Sequence, residues 1–325
     1  MKRPGFAGLP FYYGWIIVGL GVLSTGFWMG IGTSFSVFFV ALLDEFHWSR
    51  GGTAGVQSTA LLTYTVTAPL VGSLIDRFGP KKTILPGIVI LSGGLMLCSR
   101  VYSLPTFYLF YGIATAAGFA FISIVSYSTI LPRWFERKRG LASGITVSGM
   151  GLGTFLLVPL CQYVIGLRGW RFSYICLGLL VFFILFPLSL VFLKDRPADL
   201  GLPVDGHDGR TSSKGKKRVE ILDPAWAATP WTLGKAMGRA RFWALMSFCF
   251  LHMTGLSVLL VHGVRFLVDV GFHPMRAASI LSLVGAISVP ARIFWGWFSD
   301  KIGREPTVTI GSAFLSAAAI ILLLL

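Results

Sequence analysis

Nine stretches of this chain are each long and apolar enough to cross ~30 Å of hydrocarbon, which takes about 20 helical residues. They fall near 12–43, 51–75, 82–101, 105–133, 139–166, 170–194, 241–269, 274–299 and 306–325. In lipid every backbone polar group must be satisfied inside the protein, so only helices or a closed barrel can span. The links are short and the runs lack the alternation of barrel strands, which leaves helices. Composition agrees: 54% hydrophobic against 13% charged residues is more apolar surface than a 325-residue soluble core can bury.

The formal charge of +15 invites a nucleic-acid reading, but the placement of the cations argues against it. With the N-terminus inside, the inner segments hold 21 Lys and Arg, among them Lys2, Arg3, Lys81, Lys82, Arg137 and Lys138. The outer links hold 6 (Arg50, Arg100, Arg168, Arg171, Arg265 and Arg276). That bias sets a multi-pass topology with a cytoplasmic N-terminus and places the cations against anionic lipid. The expected location is a plasma membrane of the bacterial inner-membrane kind. The bilayer is then a partner and nucleic acid is not. Met1-Lys2-Arg3 leads into a run too long for a signal-peptide core, so the first span is expected to be retained.

Three regions follow. Residues 1–194 form a six-helix bundle. Residues 195–240 form the one long link, a cytoplasmic connector whose Gly, Asp, Ser and Lys214-Gly215-Lys216-Lys217-Arg218 read as flexible. Trp231 to Arg241 reads as an amphipathic lead-in on the membrane surface. Residues 241–325 hold spans seven to nine, three short of the first bundle, so the expectation is an incomplete C-terminal bundle.

One phrase is written twice at matched positions. Gly72-Ser73-Leu74-Ile75-Asp76-Arg77-Phe78-Gly79 returns as Gly296-Trp297-Phe298-Ser299-Asp300-Lys301-Ile302-Gly303. Gly, Asp, a cation and Gly keep their spacing, and each copy closes an apolar span. A duplicated half with charged hinges between spans is the mark of a two-bundle transporter.

The repeated phrase resembles the major facilitator signature between the second and third helices, and again between the eighth and ninth. Tyr13-Gly14-Trp15, Trp134-Phe135-Glu136-Arg137-Lys138-Arg139-Gly140-Leu141-Ala142-Ser143-Gly144, Gly169-Trp170-Arg171, Asp195-Arg196-Pro197, Val261-His262, Asp269-Val270-Gly271 and Arg292 extend the likeness. Together they resemble the monocarboxylate transporter and oxalate:formate antiporter branch. The fold class implied is all-α integral membrane, a major facilitator fold. The mechanism implied is alternating access, two bundles rocking about a central site. Gly72, Asp76, Arg77, Gly79, Gly296, Asp300, Lys301 and Gly303 are the implied gating residues. Each acid would cap a helix of the opposite bundle: Asp300 near the fifth helix, and Asp76 at an eleventh helix that this chain lacks.

Arg292 is the one formal charge deep in a span, eight residues before Asp300 or about 12 Å of helix. An unpaired guanidinium there costs at least ~2.5 kcal/mol. Ser288, Val289, Trp295 and Gly296 stand three and four residues away, so no acid answers it locally. A substrate carboxylate is the partner whose planar geometry matches the fork, and Pro290 loosens the ladder nearby as a cavity wall would. The alternative is an Arg that snorkels to the interface. Thr33, Tyr127 and His252 are the further candidate substrate-binding residues, the first two being polar groups on helices that line the cavity in relatives, and either His252 or His262 could carry a proton if it titrates near neutrality. Some relatives carry a Lys where Thr33 stands and an acid where Ser288 stands, so their proton–anion scheme does not transfer. A visible single cation points to a monocarboxylate.

The function expected is secondary transport of small organic anions, by proton symport or anion exchange. The alternatives are an efflux pump for another small molecule or a non-transporting remnant. No carboxylate pair, zinc motif or Ser/His arrangement suggests an enzyme. Gly149-Met150-Gly151-Leu152-Gly153 lies in a span and follows no strand, so it is no nucleotide loop. Cys98, Cys161, Cys176 and Cys249 have no metal or redox spacing. No cofactor is expected. The chain is expected to act as a monomer, with a second chain supplying the missing helices as the alternative.

Overall fold

The computed structural model describes residues 11–206, 231–271 and 273–324. Lys2, Arg3, Lys214 to Arg218 and the side chain of His262 lie outside the described residues. Nine helices are described: α1 (Gly14–Phe46), α2 (Arg50–Phe78), α3 (Pro80–Cys98), α4 (Leu104–Trp134), α5 (Arg139–Phe192), α6 (Leu233–Met237), α7 (Ala240–Asp269), α8 (Pro274–Ile302) and α9 (Arg304–Leu324). The apolar stretches of the sequence match the long helices to within a helical turn. α5 holds two expected spans, separated where Gly169 (φ 80°, ψ 168°) interrupts the helical backbone: a first arm over 139–168 and a second arm over 170–192. A left-handed residue that interrupts a helix is tolerated where there is no Cβ.

α4 is irregular in a way the apolar pattern hides. It winds as a π-helix over Tyr108–Thr115. It breaks at Ser123 (φ −74°, ψ 174°). The Ser123 hydroxyl repairs the break from both sides: it donates to the Ala120 carbonyl at 3.0 Å and accepts from the Val125 N–H at 3.3 Å. Hydroxyls of this kind are how a spanning helix satisfies backbone groups freed by a break.

The chain divides into two compact units, Met1–His207 with Ser288–Gly303, and Asp208–Ile287 with Arg304–Leu325. In the first, α1 lies on the first arm of α5 along a seam of glycines. A Cβ on Gly153 would meet the Gly26 carbonyl, and one on Gly149 the Val22 carbonyl. Small residues permit that approach, the usual basis of helix association in lipid. The Thr25 hydroxyl crosses the seam to the Thr146 carbonyl at 2.7 Å. Outward faces carry large apolar side chains instead: Leu61, Leu62 and Val66 on α2 are 65–68% exposed, and Phe155 on α5 is 76% exposed. Apolar faces on that scale suit lipid, not water.

One end of this unit is tied by Glu45, which accepts from Trp170 Nε1 at 2.6 Å and pairs with Arg171 at 2.6 Å. The other end, which carries both copies of the repeated phrase, is tied by aspartates. In the second unit the Thr232 side chain caps α6, accepting from the Lys235 N–H at 3.4 Å, and Trp243 Nε1 donates to the Met237 carbonyl at 2.8 Å. Trp243, Leu245, Phe250 and Leu251 leave α7 broadly apolar and exposed.

Candidate functional site

The two copies of the repeated phrase end alike. Gly79 (φ 87°) donates its N–H to the Ile75 carbonyl at 3.0 Å, and Gly303 (φ 94°) donates to the Ser299 carbonyl at 3.1 Å. Each closes one helix with a left-handed glycine just before the next begins. Arg77 lies 5.2 Å from the centroid of the Phe78 ring, and Lys301 lies 3.9 Å from that of Trp297. A Cβ on Gly72 would meet nothing within 4 Å, whereas one on Gly296 would meet the Gly140 carbonyl.

The acids of the two copies differ in what they hold. Asp76 accepts from the Arg133 guanidinium at 2.9 Å, with the Asp76 side chain 72% exposed. Asp300 accepts two backbone N–H groups, Gly140 at 2.7 Å and Leu141 at 2.8 Å. Those amides open α5, and the sequence explains why they are taken from outside. The cap residue is Lys138, with no side-chain cap bond and no acid in the first turn. Arg137, Lys138 and Arg139 crowd the positive end of the helix dipole. A helix start like that lacks both its anion and its hydrogen-bond acceptors, and Asp300 supplies both.

Further along α8, Arg292 is half-buried against the first arm of α5. A Cβ on Gly144 would meet the Arg292 carbonyl, which sets how closely the two helices approach. Its guanidinium donates to the Val147 carbonyl at 3.4 Å, a long and weak bond. It lies 3.9 Å from where a Cβ on Gly151 would stand. Among the described residues the two ion pairs, Asp76–Arg133 and Glu45–Arg171, leave Arg292 out. Thr33 reaches the same arm: its hydroxyl donates to the Met29 carbonyl at 2.8 Å, and its oxygen lies 3.3 Å from Thr154 Oγ1. Val147, Gly151 and Thr154 repeat at i, i+4 and i+7, one face of a helix. Arg292 and Thr33 therefore meet neighbouring turns of one stripe of α5.

Tyr127 is placed differently. It is fully buried between α4 and α1, with its hydroxyl 2.9 Å from Ser24 Oγ. To reach a ligand it must exchange that partner. His252 lies on α7 in the second unit, half-buried and stacked on Phe248 with ring centroids 5.8 Å apart. All four cysteines are free.

The described contacts also show groups that sequence reasoning missed. Residues 195–206, read as the start of a flexible connector, are instead docked on the first unit. Asp195 accepts the Lys81 N–H at the start of α3 (2.9 Å), and Asp205 accepts those of Glu136 (3.1 Å) and Arg137 (2.7 Å). Pro197 is buried, and Leu200 and Leu202 pack on the core. Composition suggested slack because Gly and Asp dominate; the apolar residues that anchor the segment are few and well spaced.

Helices of this length and apolarity, five of them by themselves long and apolar enough to span, define a multi-pass membrane protein. Residues 13–325 match the Major Facilitator Superfamily, and the chain belongs to that family. It is similar to Monocarboxylate transporter 12 of Homo sapiens, 30% identical over 302 residues, covering 89% of this chain and 57% of that protein. It is similar to the Oxalate:formate antiporter of Oxalobacter formigenes, 27% identical over 299 residues, covering 91% of this chain and 66% of that one. The chain thus spans 57–66% of the length of these two relatives. The solved structure of the proton:xylose symporter XylE, bound to 6-bromo-6-deoxy-D-glucose, superposes with a TM-score of 0.60 at 16% identity, covering 90% of this chain and 70% of that one. At that identity the likeness is one of fold.

Proposed function

We propose that this protein is a secondary active transporter of small organic anions, monocarboxylates foremost, working by alternating access with proton symport or anion exchange. The observation that carries the reading is Arg292. It is a guanidinium within an apolar helix, half-buried, answered by one long bond to a backbone carbonyl and by no carboxylate among the described residues. A carboxylate offers that fork two short charge-assisted bonds in place of one weak one. Thr33 adds a hydroxyl one turn along the same stripe of α5. That relatives are named for monocarboxylates and for oxalate and formate supports the same chemistry.

Arg292 and Asp300 ride on one helix, eight residues or about 12 Å apart. A ligand that draws on Arg292 thereby pulls on the element whose far end holds the α5 amides. Binding and latch release are coupled through the rigid rod of α8. The basic end of the bundle is the cytoplasmic one in this reading, with the N-terminus inside. Tyr127 joins the site after exchanging its Ser24 partner. The protein acts as a monomer.

The test is counterflow of radiolabelled formate and lactate in proteoliposomes. Arg292→Ala and Arg292→Lys are expected to lose uptake by a factor of about 100, the loss of a paired charge at about 3 kcal/mol. Uptake unchanged in Arg292→Ala refutes the site. Competition by lipophilic cations and not by carboxylates refutes the cargo class.

A further inference from the structure

The strap that follows α5 returns across the end of the bundle where the latch lies. Leu193 is buried, two 3-10 turns (Pro197–Leu200 and Val204–Gly206) fold the segment back, and the Tyr13 hydroxyl donates to the Phe192 carbonyl at 2.8 Å. Asp195 fastens it to α3 through the Lys81 N–H at 2.9 Å. Asp205 fastens it to the turn between α4 and α5 through the N–H groups of Glu136 and Arg137 at 3.1 and 2.7 Å. Asp205 itself holds φ 59°, a left-handed backbone that Asp tolerates better than most residues.

Asp205 and Asp300 thus hold the same short stretch of backbone. Glu136 and Arg137 donate to the strap, and Gly140 and Leu141 donate to α8. Between the two pairs lie Lys138 and Arg139. Without anions, this run of cations at a helix start repels itself and opposes the dipole. Fixing its backbone also costs conformational entropy. The two carboxylates share that positive charge, so the gain is conformational: a carboxylate that stays with the turn fixes its backbone before the other carboxylate arrives, and this prepaid ordering raises the affinity of the second contact.

We propose that Asp205 is a positioning residue for the Asp300 latch: the strap holds the turn before α5 ready to receive α8, and it remains in place when α8 leaves. The inference rests on the latch reading above. The strap follows α5 directly in sequence and carries its own apolar anchors on the first unit, whereas Asp300, packed in that same unit, comes from the second half of the chain. The capped turn is therefore a permanent receptor, and Asp300 is its removable plug.

Amide hydrogen exchange over 135–142, read by fragmentation mass spectrometry on the 325-residue chain in lipid nanodiscs, tests this. Asp205→Ala is expected to speed exchange at Glu136 and Arg137 about tenfold, the loss of one charge-assisted contact. The discriminating effect is at Gly140 and Leu141, whose N–H groups bond Asp300: about three- to fivefold faster exchange through weaker Asp300 binding. Asp205→Glu, which keeps the carboxylate, restores part of both effects, a rescue that a merely structural loss does not show. Protection of the Lys81 amide, held by Asp195, reports that the strap variant is folded. If Asp205→Ala loses that protection, Asp205→Asn, isosteric and neutral, takes its place with the same readouts. Acceleration confined to Glu136 and Arg137 overturns the inference. Asp300→Ala separates the two ideas: no change at Gly140 and Leu141 in that variant overturns the latch itself, whatever the strap does.

Discussion

Removing the Asp300 carboxylate tests the link from helix electrostatics to conformational cycle. Asp300→Ala deletes the two bonds to Gly140 and Leu141, at 2.7 and 2.8 Å, and leaves Arg137, Lys138 and Arg139 at an uncapped helix start. Two shielded bonds to a charged group are worth about 1.5–3 kcal/mol each. Asp300 is exposed, so water competes, and the cost of losing a helix cap, about 0.5–2 kcal/mol, is the better scale. A loss of about 1–2 kcal/mol changes the ratio of released to engaged α8 by about 5–30-fold. Spin labels at exposed Lys138 and Ile302 report that ratio as a distance distribution, in a background with exposed Cys249 replaced by Ser. In nanodiscs, Asp300→Ala is expected to move population from the short distance to a longer one. Distributions that coincide with those of the unsubstituted chain would show that the capped amides do not hold α8, and the latch reasoning then fails at its first step.

The other acid of the repeat gives the contrast. Asp76→Asn breaks an ion pair whose carboxylate is 72% exposed, worth about 0.5 kcal/mol or less, so the same distance distribution should hardly move; an effect equal to that of Asp300→Ala would remove the asymmetry between the two copies. Gly153→Leu drives a side chain into the Gly26 carbonyl across the α1–α5 seam, and should destabilise the first unit by about 1–3 kcal/mol or more, read as a lowered midpoint in thermal denaturation in detergent.

Much of the fold was legible because lipid leaves the chain few choices. Span positions follow from apolar length, and the described helices meet them within a turn. The separation of the two spans within α5 was marked too, by Gly169 before Trp170-Arg171, where the helical backbone is interrupted. The π-helical winding over Tyr108–Thr115 and the break at Ser123 were not marked. Both are rescued by hydroxyls and neighbouring helices, and an apolar pattern with interspersed Ser and Thr looks the same whether or not the ladder is regular.

The site divides along the same physical line. Arg292 stood out because charge in hydrocarbon is costly wherever it lies, so one residue is informative alone. Asp76 and Asp300 stood out through the repeated phrase, whereas Asp195 and Asp205 did not, because a carboxylate near water costs nothing until its partner is known. Asp205 lies in a Gly- and Asp-rich stretch that composition assigns to slack chain, and its donors are backbone N–H groups, which no sequence displays. The clue was on the receiving side. A helix that starts Arg137-Lys138-Arg139-Gly140, with no acid in its first turn, lacks the anion that its dipole favours. A helix start so poorly provided takes its acceptors from water or from elsewhere in the chain, and here Asp205 and Asp300 are those acceptors. On that logic a basic, uncapped helix start beside a hinge is itself a sequence signal for a paired receptor, one permanent carboxylate and one that moves.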